Sequence, residues 1–340
     1  MRIQLIGWDN GRGLSHDIRL LRETLTALGH QVDLAAVPPG RKQRLRAWRR
    51  RLRLAWRALR HGESRRYDLG IMLERALPEY LPLARRNAFI PNPEWLSPRD
   101  QRHLHRFDAI FAKTQVAAAA LAARGLPVHC IGFRSVDCRR ADVPREAGVL
   151  HLAGASRMKG TARLLAAWAR HPAWPRLLVL QSAELAANMP DVSGCANIEQ
   201  RIGRVPDIEQ IRRLQNAYPL HACLSEAEGW GHYIVEAMSC GAVVLACDAP
   251  PMNELVDASR GLPVAAQATG ALNLATCYAF DEAALEAAIA RWLAMADAER
   301  AALGAAARDW FERNDAAFAA RLAAALARLA ADAGPRAAFG

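Results

Sequence analysis

The clearest chemistry in this 340-residue chain lies in two carboxylates, Glu228 and Glu236, eight positions apart. They belong to the segment Ser225-Glu226-Ala227-Glu228-Gly229-Trp230-Gly231-His232-Tyr233-Ile234-Val235-Glu236-Ala237-Met238-Ser239-Cys240-Gly241. The segment follows a strand-like run, turns at two glycines and continues as a short helix that Gly241 can end. Glu228 therefore sits on a loop and Glu236 on the helix it feeds. A carboxylate accepts two hydrogen bonds at once, so each suits a vicinal diol such as that of a sugar ring or a ribose. The same letters also fit loop acids favouring a helix N-terminus, with Glu236 as a solvated helix residue.

A second group is Gly154-Ala155-Ser156-Arg157-Met158-Lys159-Gly160-Thr161, in the turn between a strand and a helix. Two cations beside a helix N-terminus make an anion site, because backbone amides and the helix dipole add to the side-chain charges. An exposed basic turn is the plain alternative. The chain has no Asp-x-Asp triplet. The charge of a diphosphate would then be offset by Arg157, Lys159 and helix dipoles, with no metal site expected. Earlier in the chain, Phe89-Ile90-Pro91-Asn92-Pro93-Glu94-Trp95 puts Glu94 beside Trp95. There a carboxylate could orient an acceptor hydroxyl or take its proton, although a proline-rich turn with a surface acid reads the same way. Gly11-Arg12-Gly13 lacks the third glycine of a dinucleotide fingerprint, His16 standing in its place, so oxidoreductase chemistry is disfavoured.

These residues need elements to position them. Ile3–Ile6 reads as a strand, Ile18, Leu21, Leu25 and Leu28 as the apolar face of a helix, and Gln31–Ala35 as a second strand. That unit implies a right-handed crossover and a parallel sheet. Further strands are expected at 69–73, 88–90, 109–112 and 128–131. A second series starts at 148–152, passes through a helix over 161–169 and returns at 177–180, with later strands at 221–224 and 242–246. Between the series, Gly132–Ala147 has almost no periodicity and reads as the hinge. From about Asp281 the chain is alanine-rich helix. The fold class is α/β, with two Rossmann-like doubly wound domains facing a cleft, over 1–140 and 141–340. Ligands in such sheets sit beyond the carboxyl ends of the strands.

On these residues the chain resembles the group 1 family of retaining nucleotide-sugar glycosyltransferases, which have the GT-B architecture. Residues 225–241 resemble its E-x7-E signature, Val205–Leu214 its loop and helix near the nucleotide base, and Gly241–Asp248 the strand that follows. The resemblance covers the second half of the chain and is topological only in the first. It implies a donor-binding C-terminal domain in which Glu236 binds ribose hydroxyls and Glu228 the transferred sugar. Gly229, Trp230, Gly231 and Val205 would line the donor, while Arg157 and Lys159 hold its diphosphate. The Gly11-x-Gly13 turn would approach the phosphates, and Glu94 would serve the acceptor in the N-terminal domain. Catalytic roles fall to Glu94, Glu228 and Lys159. The loop carrying Arg157 and Lys159 is shorter than the family form, and no histidine follows the fourth strand where many members have one. The implied activity is metal-independent hexosyl transfer, with retention, from a nucleoside diphosphate sugar to a glycan or lipid-linked acceptor, needing no cofactor beyond that substrate. Alternatives are a sugar-nucleotide epimerase of the same fold and a catalytically silent, membrane-associated scaffold.

Composition agrees with a packed enzyme. Hydrophobic residues make up 52% and charged residues 23%, which excludes wholesale disorder and coiled-coil or collagen-like chains. No apolar run reaches the length of a spanning helix, and an acid at position 9 comes too early for a signal peptide, so a cytoplasmic protein is expected. The seven cysteines lack C-x-x-C spacing and read as reduced. The net charge of +11 is concentrated in 41–60, where Leu45, Trp48, Leu52, Trp56 and Leu59 fall on one helical face among arginines. Such a helix suits the inner face of an anionic membrane, or equally packs on a sheet with its arginines solvated. Nucleic acid is not an expected partner, for no binding motif accompanies the charge.

Overall fold

The computed structural model describes residues 1–8, 13–37, 49, 66–205 and 207–331, which form two compact units. The first comprises Met1–Arg134 with Ala316–Gly340, the second Ser135–Asp315.

The first unit is built on six strands: β1 (Arg2–Gly7), β2 (Gln31–Ala36), β3 (Tyr67–Leu73), β4 (Ala84–Ile90), β5 (Ala109–Ala112) and β6 (Val128–Cys130). All pair in parallel, in the order β2-β1-β3-β4-β5-β6. β5 is a continuous apolar run, and β1, β3 and β4 are buried over most of their length, because helices and turns cover both faces of a parallel sheet. Helix α1 (Gly13–Ala27) buries Ile18, Leu21 and Leu25. Short helices α2 (Pro98–Gln101) and α3 (Gln115–Ala122) follow β4 and β5. After β2 the chain resumes on the other side of β1, so strand order reverses between β1 and β3.

The second unit has seven strands: β7 (Val149–Gly154), β8 (Leu177–Gln181), β9 (Ile198–Ile202), β10 (Leu220–Cys223), β11 (Val243–Asp248), β12 (Leu262–Leu272) and β13 (Ala275–Phe280). Their order is β13-β12-β11-β10-β7-β8-β9, parallel except for the β12–β13 hairpin. The reversal falls between β7 and β10. Helices α4 (Thr161–Arg170), α5 (Ala183–Ala186), α6 (Ile208–Ala217), α7 (His232–Ser239), α8 (Met252–Leu255), α9 (Glu282–Ala294) and α10 (Asp297–Ala331) complete the chain.

The two-series organisation expected from periodicity is the observed one, and the segment from Ile131 to Gly148 contains no helix or strand. Two features differ from expectation. β9 and the β12–β13 hairpin add strands that the sequence hides, since β12 is mostly exposed and interrupted by Pro263 and Gly270. The end of α10 belongs to the first unit, whereas the C-terminal helices were expected with the second. There Phe318 packs on Phe133 with ring centroids 5.1 Å apart, and Arg321 Nε donates to the Ile131 carbonyl at 2.8 Å. Gly11 and, apart from Arg49, the basic stretch 41–60 lie outside the described residues. Among the described residues, no helix is long and apolar enough to cross a membrane. All seven cysteines are free, four of them buried.

Helix α4 carries the Arg157–Lys159 loop at its start and is anchored at its other end by Trp168. That side chain is wholly buried, stacks edge-on against Trp174 at 4.6 Å and donates its indole N–H to the Pro175 carbonyl at 2.8 Å. Trp168→Ala is expected to lower the unfolding free energy by about 4 kcal/mol, as for other large core truncations, and Trp168→Phe by about 2 kcal/mol through loss of the hydrogen bond and of part of the packed volume. Urea titration of both variants checks the difference.

Candidate functional site

The loops after β7 and β10 emerge side by side at the carboxyl ends of strands flanking the order reversal. Open parallel sheets form ligand crevices at that place. The β7 loop contains a 3₁₀ turn, Arg157–Lys159, closed by Ser156, whose hydroxyl accepts from the Met158 amide. It ends at Gly160, with φ +67°, which caps α4. A Cβ on Gly160 would lie 2.3 Å from the Leu224 carbonyl oxygen, so only glycine lets the two loops approach this closely. The Glu226 amide donates to the Met158 carbonyl at 2.8 Å, stitching the loops together.

Charge then meets charge. Lys159 Nζ donates to Glu228 Oε1 at 2.5 Å, and the Ser225 hydroxyl donates to the same oxygen at 2.6 Å. Tyr233, on α7, is buried and lies 2.5 Å from Ser225 Oγ. Because the serine proton goes to the carboxylate, the tyrosine is the donor, which gives a chain from Tyr233 through Ser225 to Glu228. Its ring also lies beneath Lys159, with Nζ 3.3 Å from the centroid. Burial pushes the Tyr233 hydroxyl well above its ordinary pKa and keeps it a donor.

The loop bends into α7 at Gly231, whose φ of +97° only glycine adopts without strain. Glu236 lies on the first two turns of α7, partly buried, with Gln215 Nε2 3.4 Å from its Oε2. Burial raises its pKa above the usual carboxylate range. Arg157 is exposed at the mouth of the β7 loop.

Beneath both loops, His151 on β7 ties the site to the sheet. Its Nδ1 bonds to the Ala222 carbonyl at 2.7 Å and its Nε2 to Thr161 Oγ1 at 2.9 Å. A carbonyl only accepts, so Nδ1 carries the proton and Thr161 donates to Nε2. Complete burial drives the His151 pKa down to about 4.

The structure thus brings Lys159 and Glu228 together and sets Gly231 and Glu236 on the same loop and helix. Trp230 is turned into the core instead, its indole N–H donated to Ser135 Oγ at 3.2 Å. Gly229 is buried beside it. Val205 packs against the cluster of Leu150, Leu178, Leu180, Ala217 and Tyr218. Gly13 opens α1 in the first unit. Glu94 lies in the 3₁₀ turn Pro93–Trp95, only 6% exposed. Sequence reasoning did not single out Tyr233 or His151. Tyr233 has a signal in its place five residues after Glu228 on the emerging helix; a histidine inside an apolar strand has none that separates support from packing. Also in the second unit, His171, Glu282 and Glu286 approach one another at the surface, where Arg170 already holds Glu282 through Nε and Nη2.

Fold and site together define an α/β protein with two parallel-sheet units, one of which carries a paired lysine and glutamate at its strand reversal. Residues 149–310, within the second unit, match the sequence model of the family described as glycosyl transferases group 1. The fold of the chain is GT-B. Sucrose-phosphate synthase from Thermosynechococcus elongatus superposes with a TM-score of 0.69 at 18% identity, over 98% of this chain and 100% of that one. The Anabaena protein HepE, solved with UDP and glucose, gives 0.64 at 17% identity over 96% and 99%. The lipopolysaccharide outer core galactosyltransferase WaaB gives 0.67 at 13% identity over 96% and 99%. No curated protein matches the chain by sequence.

The depressed histidine gives a pH dependence with a fixed sign. The folded pKa of about 4 lies below the ordinary 6.5, so the unfolded chain binds the proton first and stability falls as pH drops from about 6.5 towards 4. Between pH 7 and 4.5 the wild type should lose about 2 to 3 kcal/mol more than His151→Gln, measured as urea midpoints at each pH.

Proposed function

We propose that the protein transfers a hexosyl group, with retention and without a metal ion, from a nucleoside diphosphate sugar to a hydroxyl of a glycan or lipid-linked acceptor. The observation that carries this reading is the 2.5 Å contact between Lys159 and Glu228 at the strand reversal. A cation for the diphosphate and a carboxylate for the sugar lie side by side there. Support comes also from the family match over these loops and from the UDP and glucose held by the Anabaena protein.

In this reading Lys159, Arg157 and the amides at the start of α4 take the diphosphate oxygens. Charge grows on those oxygens as the bond from the sugar C1 breaks and its electron pair leaves with the diphosphate. Glu228 holds sugar hydroxyls, oriented by Ser225 and Tyr233, and Glu236 holds the ribose diol. The acceptor oxygen bonds to C1 as its proton is released. Glu94 is assigned no step, since a carboxyl 6% exposed offers little surface to a hydroxyl. The donor is substrate, and the reading calls for no further cofactor.

Because Glu228 occupies Lys159 in the ligand-free protein, the two ligand groups compete with an internal ion pair. Glu228→Gln should lower turnover of a nucleotide sugar by at least about 100-fold while leaving affinity for the nucleoside diphosphate equal or tighter. Transfer assays with UDP-glucose and calorimetry with UDP measure the two effects; unchanged turnover overturns the reading. For the acceptor we propose a site at an anionic membrane, reached through the basic stretch 41–60, where each cation contributes about 1 kcal/mol. Replacing Trp48 and Trp56 together with alanine should abolish sedimentation with phosphatidylserine vesicles.

A further inference from the structure

The first unit also gathers polar side chains at the carboxyl ends of β3 and β4, beside its own order reversal between β1 and β3. The chain leaves β3 through Glu74, whose φ of +62° is a left-handed conformation that a non-glycine residue adopts only under strain. The Arg75 amide closes a three-residue turn on the Leu73 carbonyl at 2.6 Å, and the Glu74 amide donates to the Ile90 carbonyl at 2.9 Å. Arg75 Nε faces Asp100 Oδ2 at 3.2 Å, which fixes the far side of the turn. The backbone is therefore held in this form from both sides.

The Glu74 carboxyl ends a relay of buried charges. Lys113, just past β5, is 3% exposed; its Nζ donates to Asp17 Oδ2 at 2.5 Å and to Asn92 Oδ1 at 2.9 Å. An ammonium only donates, so the Asn92 oxygen must face Lys113 and its NH2 must face away. That NH2 donates to Glu74 Oε2 at 3.3 Å. Glu74 Oε1 accepts no hydrogen bond from the described residues, and the side chain remains partly open to solvent. Burial raises the proton affinity of the carboxyl, while Lys113 and Asn92 pull it back. Three residues beyond Asn92, in a turn closed by the Trp95 amide on the Asn92 carbonyl, comes Trp95. It is 48% exposed and is the one aromatic among the large apolar side chains that the described surface leaves open.

An open indole, a fixed amide and a carboxylate with a spare oxygen, set at the carboxyl ends of β3 and β4, have the chemistry of a pyranose subsite. Apolar sugar faces cover aromatic rings, and carboxylate oxygens take hydroxyl protons. We propose that Glu74, Asn92 and Trp95 bind the acceptor as a pyranose ring, Glu74 Oε1 accepting from one of its hydroxyls, with Lys113 and Asp17 as positioning residues. This rests on the transferase reading above and supplies its acceptor side.

The test uses the full chain with saturating UDP and a panel of methyl glycosides of glucose, galactose, mannose and N-acetylglucosamine, read by saturation-transfer NMR. At least one glycoside should bind the wild type, and Glu74→Gly and Trp95→Ala should each weaken it about tenfold or more. Glycine also relieves the left-handed backbone, so Glu74→Gly should raise the melting temperature by about 2 °C. A residue kept only for structure would lower it. Binding by Glu74→Gly equal to the wild type, a fall in its melting temperature, or no binding of any glycoside by the wild type overturns the proposal. If the subsite binds but no nucleotide sugar is turned over, the transferase reading fails and the subsite stands.

Discussion

A single ion pair organises the second unit: Lys159 on the loop after β7 reaches Glu228 on the loop after β10. The contact requires two loops from strands far apart in sequence to approach to backbone distance, and Gly160 against Leu224 sets that distance. A pair of partly buried opposite charges is worth little as stability, because desolvation offsets much of the attraction. Its consequence here is chemical. The cation and the carboxylate to which the proposed function gives the diphosphate and the sugar are each held by the other in this structure, so the two side chains keep their places. Tyr233 and Ser225 limit the directions from which that carboxylate can be approached.

The support beneath the pair is made of neutral groups. His151 links β7 to β10 and to the first residue of α4, and its burial removes the positive charge that would otherwise stand close to Lys159. The site thus has its charge on the loops and its rigidity in an uncharged hydrogen-bonded layer on the sheet.

The first unit repeats the geometry with different chemistry. Strand order again reverses once, and polar side chains gather at the carboxyl ends of β3, β4 and β5 beside it. Here the buried pair Lys113–Asp17 lies beneath the surface, and Asn92 connects it to the partly open Glu74 carboxyl. Strain that would cost stability in an ordinary turn is held there by hydrogen bonds on both sides, the pattern of a position kept for its side chain.

Much of this was legible in the sequence, because apolar periodicity and glycine turns are local. The strands 3–6, 69–73, 148–152 and 221–224, the helix after Gly160 and the spacing of Glu228 from Glu236 all follow from neighbours within a few residues. What stayed hidden depends on contacts between distant segments. The strands β9, β12 and β13 have weak apolar patterns and exist because a neighbouring edge pairs with them, and the end of α10 was assigned by Phe133 and Arg321 packing rather than by its own alanines. Trp230 looked like a ligand contact and became a core residue once Ser135 took its indole N–H. Glu74 has no signal at all in its letters: its backbone angle and its partners come from β4, β5 and α1. The sequence alone determined which elements form and which charges they carry; tertiary structure decided which of those charges meet, since loop ends from non-adjacent strands find one another only when the sheet has set their order.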